Sequence, residues 1–181
     1  MDAPTLIGVL TQAVPGAELQ PSSSIDLHAT FHVDRGRLIE IARALRDHPS
    51  LRFDFLAELT AVDRHPLEPR FEVMYILVST AHAIRARMKV RLNGDDARVP
   101  TVTGVWPAAN WLEREVWDMF GIMFDGHPDL RRLLMPDDWQ GYPLRKDYPV
   151  QIRKAVSTGE PLQVTEQEFR ANLERDRRAR E

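Results

Sequence analysis

The chain has no cysteine among its 181 residues. That excludes a disulfide, a thiolate zinc site, a cysteine nucleophile and ordinary iron–sulfur ligation within it. Long apolar runs are also missing. The densest stretch, Met74 to Val78, falls far short of the ~20 residues a membrane helix needs, so membrane association is expected only through a partner. The N-terminal run Met1-Asp2-Ala3-Pro4-Thr5 lacks the basic region of a signal peptide. Charge of one sign is scarce: 24 Lys and Arg stand against 27 Asp and Glu, a net of −3. That argues against a general nucleic-acid binder and leaves room for a local basic patch. There is no Walker loop, no Gly-x-Ser-x-Gly, no Gly-x-Gly-x-x-Gly and no internal repeat. No catalytic or metal-binding constellation is expected.

What is present suits a globular domain: 43% of residues are hydrophobic and 28% charged. Leu6, Leu10 and Val14 recur at helical spacing and Pro15-Gly16 stops them. Ile25 to Val33 alternates, with Ile25, Leu27, Ala29, Phe31 and Val33 on one side, and reads as a half-buried strand. Asp34 caps a helix carrying Leu38, Ile41, Ala42 and Leu45. Three further strands are predicted. One has Phe53, Phe55, Ala57, Leu59 and Ala61 inward. Phe71 to Val78, apolar on both faces, is central and needs cover on both. The third alternates Ile84, Ala86, Met88, Val90 and Leu92 with Arg85, Arg87, Lys89 and Arg91. The order predicts an α+β fold, a mixed β-sheet with helices packed on one face. A helix and a long irregular extension follow it. The expected divisions are a core over 1–104, the helix and extension over 105–150, and a charged tail over 151–181. Its end, Thr165 to Glu181, begins with a capping box, Thr165 to Glu168, and residues 157–181 have too little apolar surface to be needed for folding.

Several groups invite a chemical reading. His28 and His32 sit four apart, but on a strand that separates them by about 13 Å, too far to share an ion. Asp63 with His65, and His127 with Asp129, have the residue types of acid–base pairs; six histidines offer such pairs by chance. The four cations between Ile84 and Leu92 make a stripe suited to phosphates, to an acidic partner, or to guarding a strand against aggregation.

The helix from Trp111 to Phe120, with Asn110 as its N-cap and Gly121 past its end, is more specific. It places Leu112, Val116 and Met119 on one face and Glu113, Arg114, Trp117 and Asp118 on another. Aromatics mixed with charges suit an interface. The stretch resembles the signature of the C subunit of the respiratory NADH–quinone oxidoreductase, a peripheral-arm component of complex I. It carries Glu113-Arg114-Glu115, Asp118, Met119-Phe120, His127 and Arg131, closed by Leu133-Leu134. The run Met135 to Pro149 is similar to the family's downstream segment. The resemblance extends over about residues 1–150 and is densest from Trp106 to Pro149.

The resemblance implies a protein without redox cofactors of its own, with FMN and iron–sulfur clusters in partner subunits. The domain then docks on the quinone-site subunit (the D subunit of the complex) and on iron–sulfur subunits. It does so as a peripheral protein at the cytoplasmic side of the bacterial inner membrane. Docking residues are expected among Glu113, Arg114, Glu115, Asp118, His127, Arg131, Arg132, Arg145 and Lys146, their charges acting in assembly more than in folding. An equivalent component of an energy-converting hydrogenase or formate-hydrogenlyase-type complex is the alternative. The lack of a fused large subunit favours the quinone reductase. A basic β-ribbon nucleic-acid binder is a remote third reading.

Overall fold

The computed structural model describes residues 2–26, 28–149, 165 and 167–171. The chain divides into two units, Met1–Tyr148 and Pro149–Glu181. The first contains α1 (Ala3–Ala13), β1 (Leu19–Ser22), β2 (Ala29–Val33), a 3-10 turn (Arg35–Arg37), α2 (Leu38–Asp47), β3 (Phe55–Asp63), β4 (Phe71–Ser79), β5 (Ile84–Leu92), β6 (Arg98–Pro100), α3 (Ala109–Phe120) and β7 (Met123–Asp125). In the second, Thr165 and Glu168 form the reciprocal box predicted: the Glu168 carboxylate accepts from the Thr165 N–H and hydroxyl at 2.9 Å, and the Glu168 N–H donates back to that hydroxyl at 3.3 Å. Residues 167–171 are helical, and the expectation that residues 157–181 are dispensable for folding falls mostly on residues outside those described.

The main sheet has the order β1-β2-β5-β4-β3. Neighbours are antiparallel except β2 and β5, which run parallel because α2, β3 and β4 intervene in the chain. The side-chain period of two divides the sheet into two rows. Phe31, Met88, Tyr75 and Leu59 are successive cross-strand partners, all buried on the inward face. The helices supply the other half of that core. Leu6 and Leu10 of α1, Leu38, Ile41 and Leu45 of α2, and Val116, Met119 and Phe120 of α3 are all buried. Two aspartates start the first helices. Asp2 accepts from Thr5 N–H at 3.0 Å, and Asp34 accepts from Gly36 N–H at 2.7 Å. The fold is thus the α+β arrangement expected: a mixed sheet with helices on one face, then a helix and an irregular extension.

Four details differ from expectation. The strand read over Ile25–Val33 begins at Ala29, and Ile25 is wholly exposed in a turn. Asp26 holds that turn by accepting from Ser24 Oγ and from His28 N–H. An unforeseen strand, β1, forms the sheet edge; its Pro21 is tolerated because an edge strand need not donate on both sides. On β3 the register shifts between Leu56 and Glu58. The bulge exposes Ala57 and turns Leu56 inward in place of Phe55, which is 51% exposed against 2% for Leu56. Lastly, β4 lies between two strands and is buried on its inward side, but its outward Met74, Ile76 and Val78 are half-buried beside the β5 cations rather than under a second layer.

The bulge makes a testable distinction. Leu56→Ala should destabilise the protein by about 2–4 kcal/mol, the usual cost of a large-to-small core change. Phe55→Ala should stay within about 1 kcal/mol. Equilibrium urea unfolding of the two variants measures both; a reversed order would place the bulge elsewhere.

Candidate functional site

The signature segment is assembled around α3. The helix begins at Ala109 without a side-chain cap, so Asn110 lies inside it rather than at its N-cap. It ends as expected at Gly121, whose φ of 72° is left-handed. The Tyr142 ring lies where a Cβ on Gly121 would go, so glycine is required twice over, by conformation and by contact. A short parallel pair, β6 with β7, carries Val99 and Phe124 into the core and sets Thr101 and Val102 beside α3.

Glu113 is fully buried there. Its carboxylate accepts from Val102 N–H at 2.7 Å and from the Thr101 hydroxyl. His127 Nε2 is 3.9 Å away, beyond hydrogen-bonding distance. The His127 Nδ1 accepts from Asp129 N–H at 3.0 Å, so the ring proton sits on Nε2 and is given to the Asn110 carbonyl at 3.1 Å. Burial pushes the Glu113 carboxyl up to about 7, with the Thr101 and Val102 hydrogen bonds opposing the rise. Tyr75 is also fully buried, and its hydroxyl has no hydrogen-bond partner among the described residues. Its burial, and secondarily the Glu113 charge, raise its pKa well above the usual value.

Asp118, also fully buried, is the most heavily engaged carboxylate in the segment. Oδ2 accepts from the backbone N–H groups of Leu133, Leu134 and Met135 at 3.0, 2.8 and 2.9 Å, and Oδ1 accepts from Arg132 at 2.6 Å. Burial alone would raise its pKa, but those four donors outweigh it and hold the group below the usual carboxylate range. Arg132 spends a second nitrogen on the Trp139 carbonyl at 2.7 Å. Arg114, nearly buried, donates to the carbonyls of Arg131 and Arg132 at 3.1 Å each and lies 5.0 Å from the Trp111 ring. Asp118, Arg114 and Arg132 thereby fold the 131–139 segment onto α3.

The end of the extension is tied down in the same way. Arg145 donates to the Phe120 and Gly121 carbonyls, the orphan acceptors at the C-terminus of α3, and lies 4.6 Å from the Tyr142 ring. Arg70 bridges Asp63 at 2.9 Å and Asp147 at 2.8 Å, while Asp63 also accepts the Lys146 N–H at 2.9 Å. Asp63 takes the backbone N–H of His65, so its contact with that residue is a turn rather than an acid–base pair. Sequence reading missed this role of Asp63, and missed Arg70 and Asp147 altogether. Arg70 and Asp147 lie 77 positions apart, and nothing local signals such a pairing.

The nine docking candidates therefore divide. Glu113, Arg114, Asp118, Arg132 and Arg145 have hydrogen-bond partners inside the chain, as does His127, and shape the segment from within. Glu115, Arg131 and Lys146 are exposed. Arg131 reaches no farther than Asp129, at 2.8 Å. On the same segment stand Trp111, 59% exposed, and Leu134, 56% exposed. Trp111, Arg131 and Leu134 thus stand exposed on a segment carried by a buried polar frame. Among the described residues there is no group of three or more metal-ligating side chains, and no helix long and apolar enough to cross a membrane.

The frame makes stability depend on pH in a definite direction. The folded protein holds the Glu113 proton to about pH 7, whereas an unfolded chain releases it near 4.5. Stability from this group is therefore full below pH 4.5 and is lost as pH rises towards 7, by about 3 kcal/mol. Glu113→Gln should flatten that decline in a series of thermal melts from about pH 5 to about pH 8. Arg145→Ala should lower the melting temperature through about 1–3 kcal/mol of lost carbonyl hydrogen bonding. Arg131→Ala, removing an exposed pair, should change stability by less than about 1 kcal/mol in the same melts.

Comparison with known proteins gives the family of the chain. Residues 31–154 match the family described as "Respiratory-chain NADH dehydrogenase, 30 Kd subunit". The C subunit of the NADH-quinone oxidoreductase of Roseiflexus castenholzii is 46% identical over 158 residues, covering 87% of this chain and 90% of the relative. A Methylococcus capsulatus chain, named as the C/D subunit of NADH-quinone oxidoreductase, is 39% identical over 93% of this chain and 30% of its own length. A chain from the structure of the membrane-bound sulfane sulfur reductase, an archaeal respiratory membrane complex, superposes with a TM-score of 0.67 at 28% identity, covering 81% of this chain and 85% of that one. The chain belongs to the family of the 30 kDa subunit of the respiratory-chain NADH dehydrogenase.

Proposed function

We propose that this chain is a docking component of a proton-pumping NADH–quinone oxidoreductase, bringing no redox group of its own and seating on the quinone-site subunit and on iron–sulfur subunits. FMN and the clusters then belong to those partners, and the chain lies at the cytoplasmic face of the membrane through the complex. The observation that carries this reading is the exposure of Trp111, Arg131 and Leu134 on the signature segment. Two large apolar groups and a cation are held outward there by a frame of buried, hydrogen-bonded charges. Preorganised aromatic and Arg anchors of this kind supply most of the energy of protein interfaces. Glu115 and Lys146 add exposed charges on the same segment.

The quinone-site subunit as first partner is supported by the relative whose name couples C and D in one chain. The likeness to a chain of a sulfane sulfur reductase sustains a second reading, a component of a hydrogenase-type complex. The higher identity to the quinone-oxidoreductase relatives favours the first. The nucleic-acid reading is weakened by geometry. Arg87 is paired with Asp26, and Lys89 and Arg91 with Glu72, so most of the β5 cations already answer a carboxylate.

The proposal is tested in a strain whose own copy is replaced by Trp111→Ser or Arg131→Glu. Each variant should fold alone with a melting temperature close to the parent. Each should also lower the recovery of assembled complex and its NADH–quinone activity in parallel, by roughly tenfold, one anchor's worth of binding energy. The isolated parent chain should be colourless and inactive towards NADH. Normal assembly of both variants, or flavin, iron or turnover in the pure chain, would overturn the proposal.

A further inference from the structure

The sheet has a second surface that the signature segment does not use. On its outward face β4 presents Met74, Ile76 and Val78, half-buried, and β3 adds Phe55 at 51% and Val62 at 42% exposure. In the pairing register Phe55 stands opposite Val78, Glu58 opposite Ile76, Thr60 opposite Met74, and Val62 opposite Glu72. The apolar side chains therefore run along β4 and out to Phe55 at one end and Val62 at the other, with the exposed Glu58 and the half-buried Thr60 between those two on β3. A sheet face left to water ordinarily carries polar residues at such positions, and apolar side chains grouped there mark a contact.

The adjoining strand gives the field a charged border. Arg85, Arg87, Lys89 and Arg91 stand opposite Val78, Ile76, Met74 and Glu72 in turn. Two carboxylates, Asp26 and Glu72, answer this row of four cations. Asp26 serves Arg87, and Glu72 is divided between Lys89 at 2.8 Å and Arg91 at 3.5 Å. Arg85 is exposed beside Val78. The β5 border therefore has a surplus of positive charge, and the face is asymmetric: cationic on β5, apolar along β4 and at Phe55 and Val62, with Glu58 the carboxylate on the β3 side.

We infer that the outward face of the sheet is a second docking surface, and that its occupant is a segment of another subunit with apolar residues flanked on one side by Asp or Glu. The apolar side chains lie over Phe55, Ile76 and Val78, and the carboxylates reach Arg85 and Arg91. Charge complementarity selects this occupant. A second copy of this chain would set a cationic border against another unless the two sheets crossed, and a purely apolar segment would leave the surplus charge unanswered. The inference rests on the chain working within a complex, but it concerns residues remote in sequence from Trp111 and Arg131. The two surfaces can therefore be tested separately.

The experiment uses the full chain in the purified complex. A photo-crosslinking amino acid is placed at position 55, and Phe55→Ser and Arg85→Glu, both at exposed positions, are compared with the parent. The crosslink should map to a peptide of another subunit in which apolar residues neighbour Asp or Glu. Retention of the chain after a salt wash should fall about tenfold in each variant, with unchanged melting of the isolated chain. A crosslink to residues 150–181 of the same chain, to a second copy, or to a peptide without acidic residues would overturn the inference. So would parent-like retention of both variants. If retention stays normal here while Trp111→Ser still blocks assembly, the sheet-face inference fails and the docking role proposed for the chain stands.

Discussion

The signature segment depends on one carboxylate. Asp118 is buried on α3 and gathers three consecutive backbone N–H groups and a guanidinium. A loop with no secondary structure leaves its backbone groups unpaired, and burying them unpaired costs more than most packing returns. Asp118 removes that cost for Leu133 to Met135, and Arg114 does the same for the carbonyls of Arg131 and Arg132. One charged side chain of each sign thus takes the N–H and the C=O groups of a single turn. The remaining features follow: Leu134 projects outward while its own N–H is held inward, and Arg132, drawn to Asp118, brings Trp139 with it.

Much of this organisation was legible in the sequence because it is local. A run apolar on both faces identified β4, alternation identified β5, helical spacing identified α2 and α3, and Gly121 marked a helix end that a left-handed residue completes. Each signal lies within a few residues of what it specifies. The β3 register was not legible, because a bulge is one unpaired residue and leaves Phe55 and Leu56 equally apolar in the sequence. Nor was β1, whose Pro21 argues for a loop until its edge position is known.

The site was legible in its residue types and not in their roles. The Glu-Arg-Glu run and Asp118 drew attention as charges on an outward face. In the fold, Glu113 and Asp118 are among the least exposed groups of the helix, and Glu115 remains outside. A mixed face of aromatics and charges suits an interface and a buried polar frame equally well, since both pair charge under exclusion of water. The structure separates the two by showing which partners lie in the chain. The pairing of Arg70 with Asp147 had no sequence signal because the two lie 77 positions apart.

The two kinds of buried carboxylate in α3 also divide the work. Asp118 is surrounded by donors and stays charged well below neutral pH, so it fixes the loop across the neutral range. Glu113 has one backbone N–H, one hydroxyl and, among the described residues, no Lys or Arg paired with it; the nearby His127 already gives its proton to the Asn110 carbonyl. Its charge is therefore tolerated rather than used. Two carboxylates on one helix end with opposite shifts because burial outweighs two donors at Glu113, whereas four donors outweigh burial at Asp118. The rigid anchor lies on the side that holds Leu134 and Arg131 outward. Glu113 lies against Thr101 and Val102, between β6 and α3, where its protonation bears on the packing of the domain's own interior.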